Sequence, residues 1–369
     1  MSIVGLDLKC FDRSAAGIGR YVMQLVETLT KSSEHDFFGY IGPRTETNQL
    51  PSNINISNGA WNKIQSSFVR SIYSLPKGAR QTELFHSMDN SGFAYKLKGT
   101  YSVSTIHDTI IYDFPHFFTF KHRFVVQQLT HFAIKNSDYI ITISESAKED
   151  LLRLFPQIKS ERIVATPLAA DGRFKPMNEK EVYDWLKDKK LPEQYFLSLG
   201  TNEPRKNLPN LIKAFRKFKQ NPNNAKIGLV LVGGKGWLSD DLKLNELQEE
   251  QIYPLGFLPD EDLPLVYSGA LAFIFPSFYE GFGLPLVEAM SCGTPVITSD
   301  NSSLREVAGN CGIYLQPEKI DSIKEAMEIF IEELPNRKTL VEQSLIRAKE
   351  FSWAKTAEKT LDVYKYLLS

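Results

Sequence analysis

The chain has 369 residues, 42% hydrophobic and 24% charged. That length favours two domains, and the composition excludes a disordered chain, a collagen and a coiled coil. Its 43 basic and 44 acidic residues leave a net charge of −1, so no basic excess points to a nucleic-acid partner.

The opening MSIVGLDLKC is charged too early for a signal peptide, and no later run approaches the roughly 20 apolar residues of a membrane span. Residues 3–8 predict a first strand, and 17–30 a helix with Val22, Leu25, Val26 and Leu29 on one face. Between them lies Ser14-Ala-Ala-Gly17-Ile-Gly19-Arg20. Gly17 and Gly19 at a helix mouth let backbone N–H groups approach a phosphate. A third glycine is missing and the loop is long, so a dinucleotide fingerprint fits poorly. Strands are expected next at 37–41, 84–87, 102–106, 139–143 and 163–166.

Residues 47–82 contain no Asp or Glu but hold Lys63, Arg70, Lys77 and Arg80, while Trp61, Ile64, Phe68, Ile72 and Leu75 follow helical spacing. This reads as a core-facing helix with a solvated basic back. The alternative is a basic amphipathic surface that meets a membrane or an anionic acceptor. After the strand at 102–106 comes His107-Asp108-Thr109. A histidine at a strand end can bond a sugar hydroxyl or a developing charge, and Asp108 can orient it or bind hydroxyls. The aromatic stretch 114–120, FPHFFTF, either lines an acceptor site or opens a helix.

A charged stretch at 171–192, with Gly172, Pro176 and Pro192, reads as an inter-domain linker with one short helix. A second series of strands follows at 195–199, 226–232, 252–254, 271–275, 295–298 and 312–315, with a helix at 208–219 after the first of them. Strands alternating with helices predict parallel α/β sheets, here two doubly wound Rossmann-like domains. Ligands of such sheets bind beyond the carboxyl ends of the strands. The expected boundaries are 1–170, the linker 171–192, and 193–351. A final amphipathic helix over 351–368 aligns Trp353, Ala357, Leu361, Tyr364 and Leu368, and either domain could receive it.

The loops of the second series carry the sharper chemistry. Gly200-Thr-Asn-Glu203-Pro-Arg205-Lys206-Asn207 places two cations just before a helix, a trap for a diphosphate. One ion pair about 4 Å apart is worth roughly 4 kcal/mol at intermediate dielectric before desolvation. Gly233-Gly234-Lys235-Gly236 can admit a ligand close to the backbone. Phe275-Pro-Ser-Phe-Tyr-Glu280-Gly281-Phe282-Gly283-Leu284-Pro285-Leu-Val-Glu288 holds two carboxylates eight residues apart. The glycines keep Glu280 in a loop, and Pro285 starts a helix that carries Glu288. One acid can face a sugar ring while the other binds a ribose diol. A glycoside hydrolase also uses two carboxylates, but has no use for a diphosphate trap. Asp260-Glu-Asp262 opens a helix at Leu263 and reads as capping acids, not as a metal site.

The block Glu280 to Glu288 resembles the E-x7-E motif of retaining glycosyltransferases of family GT4, with the GT-B fold. Gly200 to Asn207 resembles that family's Arg/Lys loop, and Asp138-Tyr-Ile-Ile-Thr-Ile-Ser144 and Phe351-Ser-Trp353 are in its style. Gly-Ile-Gly-Arg-Tyr near the start and Ile-His-Asp-Thr later resemble bacterial mannosyltransferases of surface-polysaccharide assembly. The resemblance implies two domains facing across a cleft, with the final helix, 352–369, returning to the N-terminal, acceptor-side domain. It implies that Arg205 and Lys206 neutralise the donor diphosphate, Glu288 binds the ribose, Glu280 contacts the transferred sugar near its 3- and 4-hydroxyls, and His107 sits near the 6-hydroxyl. Gly17 and Gly19 would approach the phosphates; Asp108, Gly200, Gly233, Gly281, Phe282, Gly283 and Leu284 complete the donor set.

The expected donor is a nucleotide sugar, GDP-mannose first, with UDP-glucose, UDP-N-acetylglucosamine and deoxysugar donors as alternatives. No metal or further cofactor is expected. The expected acceptor is a saccharide or lipid-linked saccharide, reached in the cytoplasm or at the inner face of the membrane. Two other classes stay open: a non-catalytic nucleotide-sugar binding protein and a nucleotide-dependent oxidoreductase.

Overall fold

In the computed structural model the described residues are 2–10, 17–42, 45, 50–56, 66–201, 203–234 and 248–369. They form two compact units. One is Met1–Leu168 with Ser352–Ser369, the other Ala169–Phe351.

The first unit is built on strands β1 (Ile3–Asp7), β2 (Asp36–Tyr40), β3 (Asn55–Ile56), β4 (Leu84–Ser87), β5 (Tyr101–Ile106), β6 (Tyr139–Thr142) and β7 (Ile163–Ala165). They pair in parallel in the order β3-β2-β1-β4-β5-β6-β7. β1 and β4 are buried along almost their whole length, because helices cover both faces of such a sheet. From β1 the chain winds outward to β3, then returns to the other side of β1 to continue through β4. The winding therefore reverses between β1 and β4, and their carboxyl ends form the crevice where such sheets bind ligands.

The helix Gly17–Ser32 buries Val22, Leu25, Val26 and Leu29, the face its spacing predicts. The final helix, Trp353–Leu368, buries Trp353, Ala357, Leu361 and Tyr364 within this unit. The Ser352 hydroxyl accepts from the Lys355 N–H at its start. Further along, Thr356 and Lys359 donate to the carbonyls of Pro167 and Ala165. Tyr364 Oη lies 2.7 Å from Nδ1 of the buried His86, whose Nε2 lies 2.7 Å from Thr105 Oγ1.

The stretch 66–79 departs from the expected helix. It forms a short α turn Ser67–Val69, a π turn Arg70–Ser74 and an α turn Leu75–Ala79. The wider middle turn rotates the faces. Ile72 and Tyr73 are 41% and 58% exposed, whereas Arg70 is 2% exposed, so Arg70 is not part of a solvated basic back. The physical reason is Asp7, buried at the end of β1, whose Oδ1 accepts from Arg70 Nη2 at 2.8 Å. A buried carboxylate needs a cation, and that outweighs the exposure of two apolar side chains. Trp61, Lys63 and Ile64 lie outside the described residues, as do Ser14 and Ala16 of the first loop, Asn202, and Lys235 and Gly236.

The second unit is built on β8 (Tyr195–Leu199), β9 (Gly228–Val232), β10 (Ile252–Gly256), β11 (Ala272–Phe275), β12 (Val296–Ser299) and β13 (Gly312–Leu315), parallel in the order β10-β9-β8-β11-β12-β13. Its winding reverses between β8 and β11. Phe196, Phe215, Phe218 and Phe330 anchor a core between this sheet and the helices Leu208–Phe218 and Ile320–Glu332. The stretch read as a linker carries the helix Glu179–Asp188 and joins the second unit, where the Met177 N–H donates to Ser268 Oγ.

Candidate active site

The carboxyl ends of β8 and β11 bring the predicted donor residues together. After β8 the chain makes a single 3-10 turn, Pro204–Lys206, and leaves it through Asn207 in the left-handed region at φ 60°. Asparagine tolerates that conformation. Here its amide donates to the carbonyls of Pro276, at 3.1 Å, and Pro317, at 2.6 Å. The Phe278 N–H donates to the Arg205 carbonyl at 2.8 Å. These bonds stitch the loop after β8 to the loop after β11 and fix Arg205 and Lys206 beside Glu280.

Glu280 lies in the loop and Glu288 in the helix Leu284–Ser291, as the spacing predicts. Gly283, at φ +94°, turns the chain into that helix, and a Cβ there would stand 2.8 Å from Leu304 Cδ2. Lys206 Nζ is 2.7 Å from Glu280 Oε1, and Arg205 Nη1 is 2.5 Å from Oε2. One carboxylate therefore bridges both cations. Arg205 also reaches Glu203 Oε2 at 3.0 Å. The Ser303 hydroxyl donates to the Glu280 carbonyl at 2.8 Å. Lys206 Nζ also lies 4.4 Å from the centre of the Phe275 ring, a cation–π contact.

Burial, and then the neighbouring Arg205, pull the Lys206 ammonium down to about 8, against the opposing pull of Glu280. Burial alone would raise Glu280, but Arg205 and Lys206 outweigh it and hold the carboxyl below its ordinary range. The cations are crowded, so an arriving anion relieves them. Gly233 and Gly200 close the site at the backbone: a Cβ on Gly233 would stand 2.0 Å from the Gly200 carbonyl oxygen.

Other predicted donor residues have different surroundings. Glu288 is buried, with Tyr267 Oη donating to its Oε2 at 3.1 Å. Phe282 is buried edge-on against Phe351, Leu284 begins the helix, and Gly281 is half-buried between Glu280 and Phe282. Asp262 occupies the N-cap position of the helix Leu263–Gly269 without a side-chain capping bond, and Asp260 pairs with Arg173 at 2.6 Å. Asp262 therefore holds the capping position expected of it but makes no capping bond. Among the described residues no group of three or more His, Cys, Asp or Glu could hold a metal ion.

The predicted residues of the first unit lie apart from that cluster in sequence and sheet. His107 follows β5 and is buried, its Nε2 2.8 Å from the Met88 carbonyl. A carbonyl only accepts, so Nε2 carries the proton and Nδ1 the lone pair. Burial lowers its pKa against the pull of the Met88 carbonyl, Asp108 and Asp89, so the ring is neutral at pH 7. Tyr21 stands edge-on to it at 4.8 Å. Asp108 Oδ1 accepts from the Ile110 N–H at 3.3 Å. Gly17 opens the helix Gly17–Ser32, and Gly19 is buried in its first turn.

The sequence reading missed Phe275, Asn207 and a charged cluster of Asp7, Lys9, Arg70 and Asp89. A charged residue closing or just following an apolar strand was the available signal for Asp7 and Lys9; for Asp89 it was only a charge just beyond a predicted strand. For Phe275, an apolar residue ending an apolar strand, there was none.

Comparison with known proteins matches residues 179–345 to the family described as glycosyl transferases group 1, and residues 15–171 to glycosyltransferase family 4. O-antigen chain mannosyltransferase B of Escherichia coli is 32% identical over 371 residues, covering 95% of this chain and 96% of that protein. Among solved structures, a sucrose-phosphate synthase from Thermosynechococcus elongatus superposes with a TM-score of 0.75 at 20% identity, covering 100% of this chain and 99% of that one. Anabaena HepE in complex with UDP and glucose superposes at 0.74 with 16% identity, covering 99% of each chain. At those identities the structural likeness establishes the fold.

Proposed function

The chain belongs to the family 4 glycosyltransferases of the GT-B fold, and from that premise we propose that it moves mannose from GDP-mannose to a saccharide or lipid-linked saccharide, with retention at the anomeric carbon. The observation that carries this reading is the bridging of Arg205 and Lys206 by Glu280 at the switch point of the second unit.

In this reading the donor diphosphate brings its oxygens to Arg205 and Lys206. Glu280 gives up part of its pairing and turns to the 3- and 4-hydroxyls of the transferred sugar. The C1–oxygen bond to the diphosphate then breaks, and the acceptor oxygen forms its bond to C1 on the same face. The acceptor proton passes to the departing phosphate oxygen. Charge grows on the diphosphate as the bond breaks, and the two cations stabilise it there. They take the part a metal ion would otherwise play, so no metal is assigned. The ribose falls to Glu288, the close backbone approach to Gly200, Gly233 and Gly281 to Leu284, and the reacting sugar's 6-hydroxyl to Nδ1 of His107. Gly17, Gly19 and Asp108 serve the donor from the first unit.

The mannosyltransferase name of the relative above supports mannose as the sugar. A lipid-linked acceptor at the inner face of a membrane is supported by the helix Phe120–Asn136. Phe120 and Phe124 are exposed on it, Arg123 lies over the Phe120 ring, and the helix holds no acid.

A thermal-shift screen with GDP, GDP-mannose, UDP, UDP-glucose, UDP-N-acetylglucosamine and NAD tests this directly. Stabilisation by GDP and GDP-mannose is expected. Stabilisation by the UDP compounds instead would overturn the donor, and by NAD alone the donor-site reading.

A further inference from the structure

The switch point of the first unit holds a second charged cluster, which the donor reading does not use. Asp7 closes β1, Lys9 follows two residues on, and Asp89, Asn90 and Ser91 form the loop after β4. Lys9 Nζ stands 2.6 Å from Asp89 Oδ2, 3.4 Å from Ser67 Oγ and 3.5 Å from Ser91 Oγ. The Ser91 hydroxyl donates to Asp89 Oδ1 at 2.7 Å. The same loop holds the strand end that carries His107, because Asn90 Oδ1 accepts the His107 N–H at 2.5 Å.

Two ion pairs share this place, and they differ in access. The side chains of Asp7 and Arg70 are 0% and 3% exposed, those of Asp89 and Lys9 18% and 13%. The first pair is foundation; the second is what a ligand can reach. Asp7 Oδ2 and Arg70 Nε, both buried, have no hydrogen-bond partner among the described residues. Buried polar groups are normally satisfied, so the cluster is short of partners as it stands.

The four charges cancel. An anion entering here meets a carboxylate beside every cation. An uncharged polyol meets an ammonium, a carboxylate and the half-buried Ser67 hydroxyl, donors and acceptors of the kind that neighbouring sugar hydroxyls require. Resting on the glycosyltransferase reading, in which the first unit serves the acceptor, we infer that Lys9 and Asp89, with Ser67, bind the hydroxyls of the acceptor's terminal sugar, an uncharged pyranoside, while the buried Ser91 hydroxyl holds Asp89 in place.

The test uses the full chain and ligand-observed NMR. Methyl α-D-mannopyranoside is the neutral probe, inorganic phosphate the anionic one and GDP the donor-side control. The proteins are the wild type, Asp89→Asn and Lys9→Met. Expected is glycoside binding to the wild type that phosphate does not displace. Both variants bind it at least about tenfold more weakly, with GDP affinity and melting temperature unchanged. Three results overturn the inference: no glycoside binding to the wild type, equal binding by the variants, or displacement by phosphate. Parallel loss of glycoside and GDP binding in the variants also overturns it, because the cluster then supports the fold or the donor. Failure of GDP to bind the wild type counts against the donor reading alone, and the glycoside data still decide the subsite.

Discussion

Each unit ends its central strands in a cluster of ion pairs, and two lysines in those clusters are driven in opposite directions. Burial opposes the charge of Lys9, but Asp89 and Asp7 outweigh it and raise its pKa above the ordinary value. Burial and Arg205 prevail at Lys206 and bring it down to about 8. The same residue type near the switch point of each parallel sheet is thus held charged by its carboxylates in one, and discharged more readily in the other, where burial and a neighbouring cation outweigh its carboxylate. In the proposed reading the cation crowded by a second cation recruits an anion, and the one already paired with carboxylates recruits hydroxyls. Under the two proposals above, that contrast is what distinguishes a diphosphate site from a saccharide site.

The sharpest way to break this contrast is Lys206→Ala. Turnover should fall roughly 100-fold or more, since a charge-stabilising group at the leaving diphosphate is lost. Circular dichroism should show the fold intact, and near-normal turnover would remove the diphosphate trap. In the first unit the corresponding break is structural. Asp7→Asn leaves the buried Arg70 without its carboxylate and should cost about 3–5 kcal/mol in denaturant unfolding, with GDP affinity of the folded protein unchanged.

A pH series sharpens the comparison further. Lys206 is charged below about 8 and neutral above it. A diphosphate favours the charged form, so GDP binding is strong below pH 8 and weakens as the pH rises through it, by up to about tenfold per unit. Tyr364→Phe removes the hydroxyl bonded to His86 Nδ1 and should cost about 1–3 kcal/mol with turnover unaffected. At the small end, Arg216→Ala breaks an exposed pair with Glu250 and should change stability by less than about 1 kcal/mol.

The sheets were largely legible because strand periodicity and apolar runs are local properties. Most predicted strands fall within one or two residues of their observed ends, and among the described residues only the two-residue β3 escaped. The Arg205, Lys206 and Glu280 cluster was legible because charged residues following apolar strands must gather at one edge of a parallel sheet. The segment 66–79 was not. Its apolar spacing is helical, but the demand that Arg70 imposes comes from Asp7, 63 residues away, and is met by a π turn. The Lys9 cluster was missed for a related reason: ion pairs between the loops after β1 and β4 appear only once the strand order is known. Phe275 beneath Lys206 gave no signal, because a ring that serves a cation is indistinguishable in sequence from one that fills a core.

The most direct measurement is calorimetric titration of GDP into the wild type and Lys206→Met from about pH 7 to 9, in two buffers of different ionisation enthalpy. Pairing of Lys206 with the diphosphate predicts wild-type affinity that falls above pH 8, with protons taken up on binding, and weak, pH-independent binding by the variant. Wild-type affinity that does not change with pH, or a variant that binds GDP as tightly as the wild type, would contradict it.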